Sequence, residues 1–322
     1  MKTELIRHKF QGGPPLEIPV ATIEGAVSGP IFTVISGMHA GEYSGVLAAQ
    51  RLIQTLDAGR LSGTLRVVPI VSTAAFLARN MQLSPIDERE VHYYAPGNPG
   101  GSYTEFQIDT LYSILRGSDF VIDMHSGEFA QALHPWVPVP MVGAPDVQEA
   151  SRSLSMGYRV EYVELRRERS SVPRLAAYLA DDGIANLWAE VGKNGLPDEE
   201  HIAIHHDGVI AAMQTVGMLP GPPERPPQKT VEGRRFQVNA NQSGVWHSYV
   251  REGEIVDAGQ ELGKITDYFG ETLEVYMAPE RALVLYYWSS PAIDHTRRPH
   301  GYDWHAGLVS LLTLDSVIEP AG

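Results

Sequence analysis

The sequence has 322 residues, of which 43% are hydrophobic and 20% are charged, and it contains no cysteine. This composition supplies enough apolar material for a packed core and differs from that of disordered chains. The formal net charge of -14 argues against a general binder of nucleic acids or anionic membranes, because either partner would repel the chain. Without cysteine the chain has no disulfides or thiolate ligands, so a zinc site would need His, Asp or Glu.

The sequence contains no signal for membrane targeting. Residues 1–13, MKTELIRHKFQGG, lack the apolar core of a signal peptide. No run approaches the ~18 apolar residues that a membrane span requires. The sequence therefore predicts a cytoplasmic protein.

Short β-rich apolar runs alternate with segments of helical periodicity over roughly the first 220 residues, which is typical of an α/β domain. Strands are predicted at 31–36, 65–71, 120–124, 160–165 and 185–191. Apolar residues recur with helical spacing at 42–56, 104–116 and, less regularly, 201–217. These helices would cover the sheet.

A proline-rich segment, LPGPPERPPQK at about 219–229, is the best predicted domain boundary. Neither a helix nor a central strand tolerates so many prolines. It separates a predicted α/β domain over 1–222 from a smaller domain over 230–322. In the second part, short apolar runs separated by glycine turns predict an all-β fold.

The first candidate site is SGMHAGE at 36–42, where a predicted strand ends and a helix begins. In open α/β sheets, ligands bind at this edge. His39 and Glu42 are three residues apart, so one helical turn or a tight loop can bring both side chains to one metal ion. Taken alone, this spacing is common and usually marks a solvated helix start.

A second candidate, DMHSG at 123–127, also follows a predicted strand, which would bring His125 to the same edge as His39. Two histidines and one glutamate form an open zinc site with a fourth position for water. A single histidine after a strand is usually a packing residue, but its coincidence with the first motif favours a metal site. Asp123 is expected either to support a ligand from behind or to satisfy buried backbone donors.

The third candidate is WAEVG at 188–192, where Glu190 ends another apolar strand. A carboxylate beside a zinc site can take a proton from attacking water and pass it to the leaving amine. The alternative is a glutamate that caps a helix or pairs with a lysine.

The segments GMHAGEYSG, IDMHSG and WAEVGKNG together resemble the succinylglutamate desuccinylase/aspartoacylase family, which is related to the zinc carboxypeptidases. The resemblance extends to VREGEIVDAGQELGKITDYFGE in the C-terminal part. It implies an α/β fold with a zinc-carboxypeptidase-like mixed sheet flanked by helices, and a smaller C-terminal all-β domain. It also implies a catalytic domain at 1–222 that holds one Zn²⁺ per chain and hydrolyses the N-acyl amide bond of a small amino-acid-like substrate.

The resemblance assigns roles residue by residue. His39, Glu42 and His125 would be the zinc ligands, and Glu190 would be the general base. The substrate would be a small N-acylated compound, with neither nucleic acid nor membrane as a partner, and a homo-oligomer is left open.

One segment departs from the family pattern. Family members commonly carry an Arg shortly before Pro-x-Asp, and an Asn-Arg pair just before Phe-Pro-Gly. Here NMQLSPIDEREVHYYAPGNPG places Gln82 at the first Arg and His92 and Tyr93 at the pair. The resemblance implies that those arginines polarise the substrate carbonyl and clamp a carboxylate, which Gln and Tyr cannot reproduce.

We expect Gln82, His92 and Tyr93 to line the substrate pocket, with Tyr93 able to donate a hydrogen bond to an oxyanion. Other arginines could replace the missing cations, although each is more often a solvated surface charge. They are Arg79, Arg89, Arg166, Arg167 and Arg169. If one reaches the site, the substrate carries an anionic group; if none does, the substrate is neutral or cationic.

Two alternatives to the deacylase are open at this point. A zinc peptidase acting on short or blocked peptides would use the same chemistry. A non-catalytic metal or ligand-binding relative would explain the missing arginines, but the retained Glu190 argues against it.

Overall fold

The computed structural model describes residues 1–296 and 307–319. The strands before the proline-rich segment are β1 (Lys2–His8), β2 (Leu16–Glu24), β3 (Val27–Ser36), β4 (Ser62–Val68), β5 (Phe120–His125), β6 (Gln131–Leu133), β7 (Trp136–Pro140), β8 (Tyr162–Arg166) and β9 (Ala185–Glu190). The helices are α1 (Tyr43–Thr55), α2 (Thr73–Ala78), α3 (Tyr103–Leu115), α4 (Pro145–Ser155), α5 (Arg174–Asp181) and α6 (Glu199–Thr215). Short 3-10 helices form at Ala58–Arg60, Val91–Tyr94 and Arg169–Ser171.

The part after the proline-rich segment consists of strands. They are β10 (Lys229–Glu232), β11 (Arg235–Asn239), β12 (Gly244–Ser248), β13 (Ile255–Val256), β14 (Glu261–Thr266), β15 (Thr272–Met277), β16 (Ala282–Trp288), β17 (Ala292–Ile293), β18 (Gly307–Leu312) and β19 (Ser316–Ile318).

A ten-stranded mixed sheet has the order β1-β2-β4-β3-β5-β9-β7-β8-β10-β19. At its centre, β3 pairs in parallel with β4 and β5, and β5 pairs in parallel with β9. Strands covered on both faces are built from nearly continuous apolar runs, as in VI at 34–35 and FVI at 120–122. Because the central strands are parallel, β3, β5 and β9 all end at the same edge of the sheet.

Helices cover both faces of this sheet. Neighbouring residues Val34 and Ile35 of β3 point to opposite faces and belong to different core clusters. The cluster of Val34 includes buried residues of α1, α4 and α6, and the cluster of Ile35 includes those of α3 and α5. The predicted mixed α/β architecture is therefore confirmed.

Antiparallel sheets make up most of the C-terminal part. One has the order β11-β18-β16-β13 and the other β15-β14-β12-β17. Trp246, Ile265 and Val309 contribute to a separate apolar cluster there. None of the helices in the described ranges is long and apolar enough to cross a membrane.

Strands that precede the proline-rich segment pair with strands that follow it. β10 pairs in parallel with β8 and extends the large sheet, and β6 pairs with β16 of a C-terminal sheet. Residues 222–228 between them form neither helix nor strand. The division into 1–222 and 230–322 stays a prediction.

Candidate active site

The loop between β3 and α1 carries the first motif. Gly37 has a φ of +61°, a left-handed conformation that glycine adopts without strain. A Cβ at this position would also lie 3.1 Å from the Cα of Ile70. The turn brings His39 and Glu42 back over the end of the sheet, and Glu42 directly precedes α1.

The three predicted metal ligands come together at this edge. His39 Nδ1 is 2.8 Å from Glu42 Oε1, and His125 Nδ1 is 2.8 Å from Glu42 Oε2. All three side chains are buried, and one ligand atom from each lies within 4.8 Å of the others. The arrangement arises because β3 and β5 are parallel neighbours, with Ser36 beside Met124 in register. Two imidazoles and a carboxylate form the donor set of open zinc sites.

Carboxylates also face the other nitrogens of both histidines. His39 Nε2 is 3.1 Å from Glu90 Oε1. His125 Nε2 is 3.0 Å from Asp123 Oδ2, although the two are not aligned for a hydrogen bond. His92 lies between these acids, with Nδ1 3.8 Å from Glu90 and Nε2 3.8 Å from Asp123. Metal-binding histidines typically donate their second nitrogen to such groups, so the surroundings also fit a metal.

Asp123 was expected either to support a ligand from behind or to satisfy buried backbone donors, and it lies 3.0 Å from His125 Nε2. The sequence interpretation missed Glu90. Glu90 precedes the 3-10 helix Val91–Tyr94, and its side chain accepts a hydrogen bond from the His92 backbone at 3.0 Å. Its position two residues before His92 was the available signal, because an acid next to a pocket-lining histidine can support a metal ligand.

The charges of this cluster stabilise one another. Burial opposes the charged form of Glu42, but His39 and His125 outweigh it and lower the pKa of Glu42 to about 2. Burial also opposes a charged His39, yet Glu42 and Glu90 raise the pKa of His39 well above its usual value. Asp123 and Glu42 likewise overcome burial and raise the pKa of His125. Three carboxylates around two histidines make this a site that attracts a cation.

Glu190 ends β9 beside His125, which is its register partner on β5. Its side chain is half-buried, and the loss of surrounding water raises the pKa of its carboxyl to about 7. Glu190, His39 and Glu42 line the same cavity, whose volume is about 360 Å³. A carboxyl with this pKa can both accept and release a proton near neutral pH.

Known proteins share this architecture, although no family model matches the sequence. A curated relative, the N-alpha-acetyl-L-2,4-diaminobutyric acid deacetylase of Halomonas elongata, is 25% identical over 255 residues, covering 78% of this chain and 74% of the relative. A succinylglutamate desuccinylase/aspartoacylase from Rhodobacter sphaeroides superposes with a TM-score of 0.82 at 20% identity, covering 98% of this chain and 95% of that one.

The chain has the fold of the succinylglutamate desuccinylase/aspartoacylase family. The resemblance predicted from the three motifs is therefore confirmed. The product-bound ectoine utilization protein EutE (DoeB) of Ruegeria pomeroyi also superposes, with a TM-score of 0.83 at 21% identity, covering 96% of this chain and 92% of that one. Since these shares approach the full length, the common fold includes the C-terminal β sheets.

The three residues expected to line the substrate pocket lie in the wall of this cavity, and the candidate cation Arg89 does not. Gln82, His92 and Tyr93 lie in its wall, where the family pattern has arginines and an asparagine. Arg89 is not part of that wall. Its guanidinium instead lies 3.7 Å from Glu105 and over the Tyr94 ring at 5.1 Å.

Among the other predicted cations, Arg166 reaches the cavity. Arg167 instead forms a bidentate pair with Glu232, and Arg169 forms one with Asp181. The sequence interpretation missed two further arginines in the wall, Arg174 and Arg235. Neither belongs to a recognisable motif, so only the folded chain reveals them.

Arg174 holds the loop that replaces the family's Asn-Arg pair. Its Nη1 donates a hydrogen bond to the Tyr93 carbonyl oxygen at 2.8 Å. This bond ties α5 to the 3-10 helix that carries His92 and Tyr93.

Glu128, also missed, fixes the position of Gln82. Its Oε1 accepts hydrogen bonds from the backbone N–H of Gln82 at 2.9 Å and of Gly41 at 3.3 Å. The side chain is fully buried, and burial raises the pKa of its carboxyl to about 7. Glu128 thereby joins the loop of the metal motif to the loop of the altered segment.

His205 of α6 connects the two strands that carry His125 and Glu190. Its Nε2 lies 3.0 Å from the carbonyl oxygens of His125 and Val191. The imidazole is fully buried, and burial lowers its pKa to about 4. His205 is therefore neutral at pH 7 and donates its Nε2 proton to the ends of β5 and β9.

Proposed function

We propose that this protein is a zinc-dependent hydrolase that cleaves the N-acyl amide bond of a small amino-acid-like substrate and belongs to the succinylglutamate desuccinylase/aspartoacylase family. The observation that carries the proposal is the convergence of His39, Glu42 and His125 in a cavity that Glu190 also lines. The deacetylase relative and the shared fold support the same chemistry.

The ligands would be His39 and His125 through their Nδ1 atoms and Glu42 through its carboxylate, because these atoms converge. Glu90 would then accept the Nε2 proton of His39, and the Asp123 carboxylate, 3.0 Å from His125 Nε2, would favour the proton on that nitrogen, so that both tautomers leave Nδ1 for the metal. Zinc, when bound, supplies a Lewis acid that polarises the amide carbonyl and makes water nucleophilic at neutral pH.

Glu190 would carry the proton through the reaction. Its carboxylate takes a proton from the attacking water as the water oxygen bonds to the amide carbon. It then delivers that proton to the nitrogen when the C–N bond breaks, which releases an amine and a carboxylate. A pKa near the working pH suits both transfers.

The cavity supports a small substrate. Its volume of about 360 Å³ lies within the usual range of roughly 300–1,000 Å³ for small-molecule pockets. Gln82, His92 and Tyr93 would contact the substrate from the side where the family pattern has its clamp. A cytoplasmic location stays a prediction from the sequence.

The test is turnover of N-acyl amino acids by zinc-loaded protein beside Glu190→Gln. We expect this variant to keep one zinc per chain and to lose about 10²–10⁴ in kcat, because it cannot accept the proton. Glu200→Gln, at an exposed position on α6, is the matched control and should retain wild-type kcat. A Glu190→Gln protein that binds zinc and keeps wild-type kcat would remove Glu190 from this role and favour a different base.

The same experiment distinguishes the proposed hydrolase from a non-catalytic binding protein. Such a protein would show no turnover in the wild type, while its affinity for N-acyl compounds would be the same with and without Glu190→Gln.

A further inference from the structure

Two arginines from different sheets line the cavity that contains Glu190. Arg166 ends β8 of the ten-stranded sheet, and Arg235 begins β11 of a C-terminal sheet. They are more than sixty positions apart in the sequence, and only the pairing of β10 beside β8 brings the start of β11 back to this region.

Arg235 is held in place mainly by uncharged groups. Its Cζ lies 5.5 Å from the centre of the Trp136 ring and 5.7 Å from that of Tyr286. Its Nε donates a hydrogen bond to Ser310 Oγ at 3.2 Å, and it also interacts with the Tyr286 hydroxyl. Within the described residues, no carboxylate oxygen lies within the 4.0 Å that defines an ion pair with Arg235. Its position is therefore fixed while its charge has no direct counter-ion.

Arg166 pairs with Glu164, a buried acid that also accepts a hydrogen bond from Trp136. Its side chain is 9% exposed, and its Nη1 is 3.6 Å from Glu164 Oε1. The other oxygen of Glu164 accepts a hydrogen bond from Trp136 Nε1 at 3.2 Å. The guanidinium carbon of Arg166 lies 5.8 Å from the centre of the Trp188 ring. Glu164 is thus partly engaged by tryptophan and lies too far from Arg166 for a short charged hydrogen bond.

The charges in this region do not cancel. Among the described residues, the two guanidiniums make one ion pair between them, that of Arg166 with Glu164 at 3.6 Å. Within the same residues, the Arg235 guanidinium is left without an ion-pair partner, although the chain has a net charge of -14. Aromatic rings shield both guanidiniums from water, and a lower local dielectric strengthens their attraction for an anion.

The same two arginines reach beyond the cavity of Glu190. They also line two adjoining cavities of about 540 and 740 Å³. An extended substrate could therefore place its amide at Glu190 and another group between the arginines.

We propose that Arg166 and Arg235 form the subsite that binds a carboxylate of the substrate, in place of the arginines that the altered segment lacks. Guanidinium groups bind carboxylates by paired, charged hydrogen bonds. The substrate class is an N-acyl compound with a free carboxylate, which belongs either to the amine half, as in an N-acetyl amino acid, or to the acyl half, as in an N-succinyl amine. This inference rests on the proposed hydrolase for the identity of the ligand.

Binding measured without turnover tests the subsite. Calorimetry on zinc-loaded Glu190→Gln protein would compare a panel of N-acetyl amino acids with their primary amides, and N-succinyl amines with the matching N-acetyl amines. The first pair detects a carboxylate in the amine half and the second detects one in the acyl half. We expect the acid of one series to bind about 10- to 100-fold more tightly than its neutral partner, the range for a charged hydrogen-bonded contact.

Adding Arg235→Gln or Arg166→Gln should remove most of that preference, and Arg235→Lys should retain part of it because the charge remains. The matched controls are Arg234→Gln, next in sequence and paired with Glu280, and Arg167→Gln, paired with Glu232. Both should keep the full preference. Thermal unfolding of each variant would identify any that fails to fold, and Arg235→Lys then serves in place of Arg235→Gln.

Two results would overturn the subsite: equal affinity for acid and neutral ligands in both series, or a preference that survives the Arg166 and Arg235 changes. A different result would contradict the proposed hydrolase activity. If acids bind with the expected dependence on both arginines but zinc-loaded wild type releases no amine from them, the subsite stands and the hydrolase does not.

Discussion

His39 Nε2 lies 3.1 Å from Glu90 Oε1, on the side of the imidazole opposite Glu42. The ring is therefore held between two carboxylates that come from different loops. This contact fixes which nitrogen of His39 faces the cluster of Glu42 and His125, and so would leave the Nδ1 lone pair for the proposed metal.

Replacing Glu90 with glutamine should weaken zinc binding. Without the charged acceptor at Nε2, His39 is held less firmly in the tautomer and orientation that direct Nδ1 to the metal. Changes of this kind typically cost 10–100-fold in metal affinity. Competition against a chelating dye would measure the affinity, with exposed Glu88→Gln as the neighbouring control. Equal zinc affinity in Glu90→Gln and wild type would show that Glu42 alone is sufficient to orient His39.

Removing zinc should lower the thermal stability of the wild type. Zinc bound only by the folded chain stabilises it by about 4 kcal/mol when free zinc is 1,000 times Kd. Thermal unfolding with and without a chelator would give the shift, which should be absent in His125→Ala because a proposed ligand is missing. His247→Ala, at an exposed position in the C-terminal part, should behave like wild type. A chelator-sensitive His125→Ala protein would contradict the ligand assignment.

His205 should make the metal-free protein sensitive to mild acid. Its pKa is lowered to about 4 in the folded state, against about 6.5 in the unfolded chain. Between these values the unfolded chain takes up a proton that the folded chain does not. The contribution of neutral His205 is thus complete above pH 6.5 and is lost as the pH falls towards 4, by about 3 kcal/mol in all.

Urea unfolding of metal-free wild type and His205→Asn at pH 7.5 and pH 4.5 would measure this difference. The variant has no proton to gain at this position, so its free energy of unfolding should fall less than that of wild type over the same interval. Parallel losses in the two proteins would assign the acid sensitivity to other groups.

The elements that could be read from the sequence are those whose patterns are dictated locally. The strand predicted at 120–124 appears as β5 and the helix predicted at 104–116 appears as α3. A strand that is covered on both faces is apolar along most of its length. In a helix that is covered on one face, apolar residues recur every three or four positions. Strand β7 was missed because its sequence WVPVP contains prolines, which are normally confined to sheet edges and bulges.

The sequence by itself also determined that His39, His125 and Glu190 would lie near one another, since each lies at or shortly after the end of a strand and parallel neighbours end at the same edge. The tertiary structure decided what surrounds them. Glu90 and Arg235 follow no motif, and their positions depend on loops and on strand pairings between distant parts of the chain. Such contacts form only when the whole sheet is assembled, because their free energy comes from packing between remote segments and not from local backbone preference.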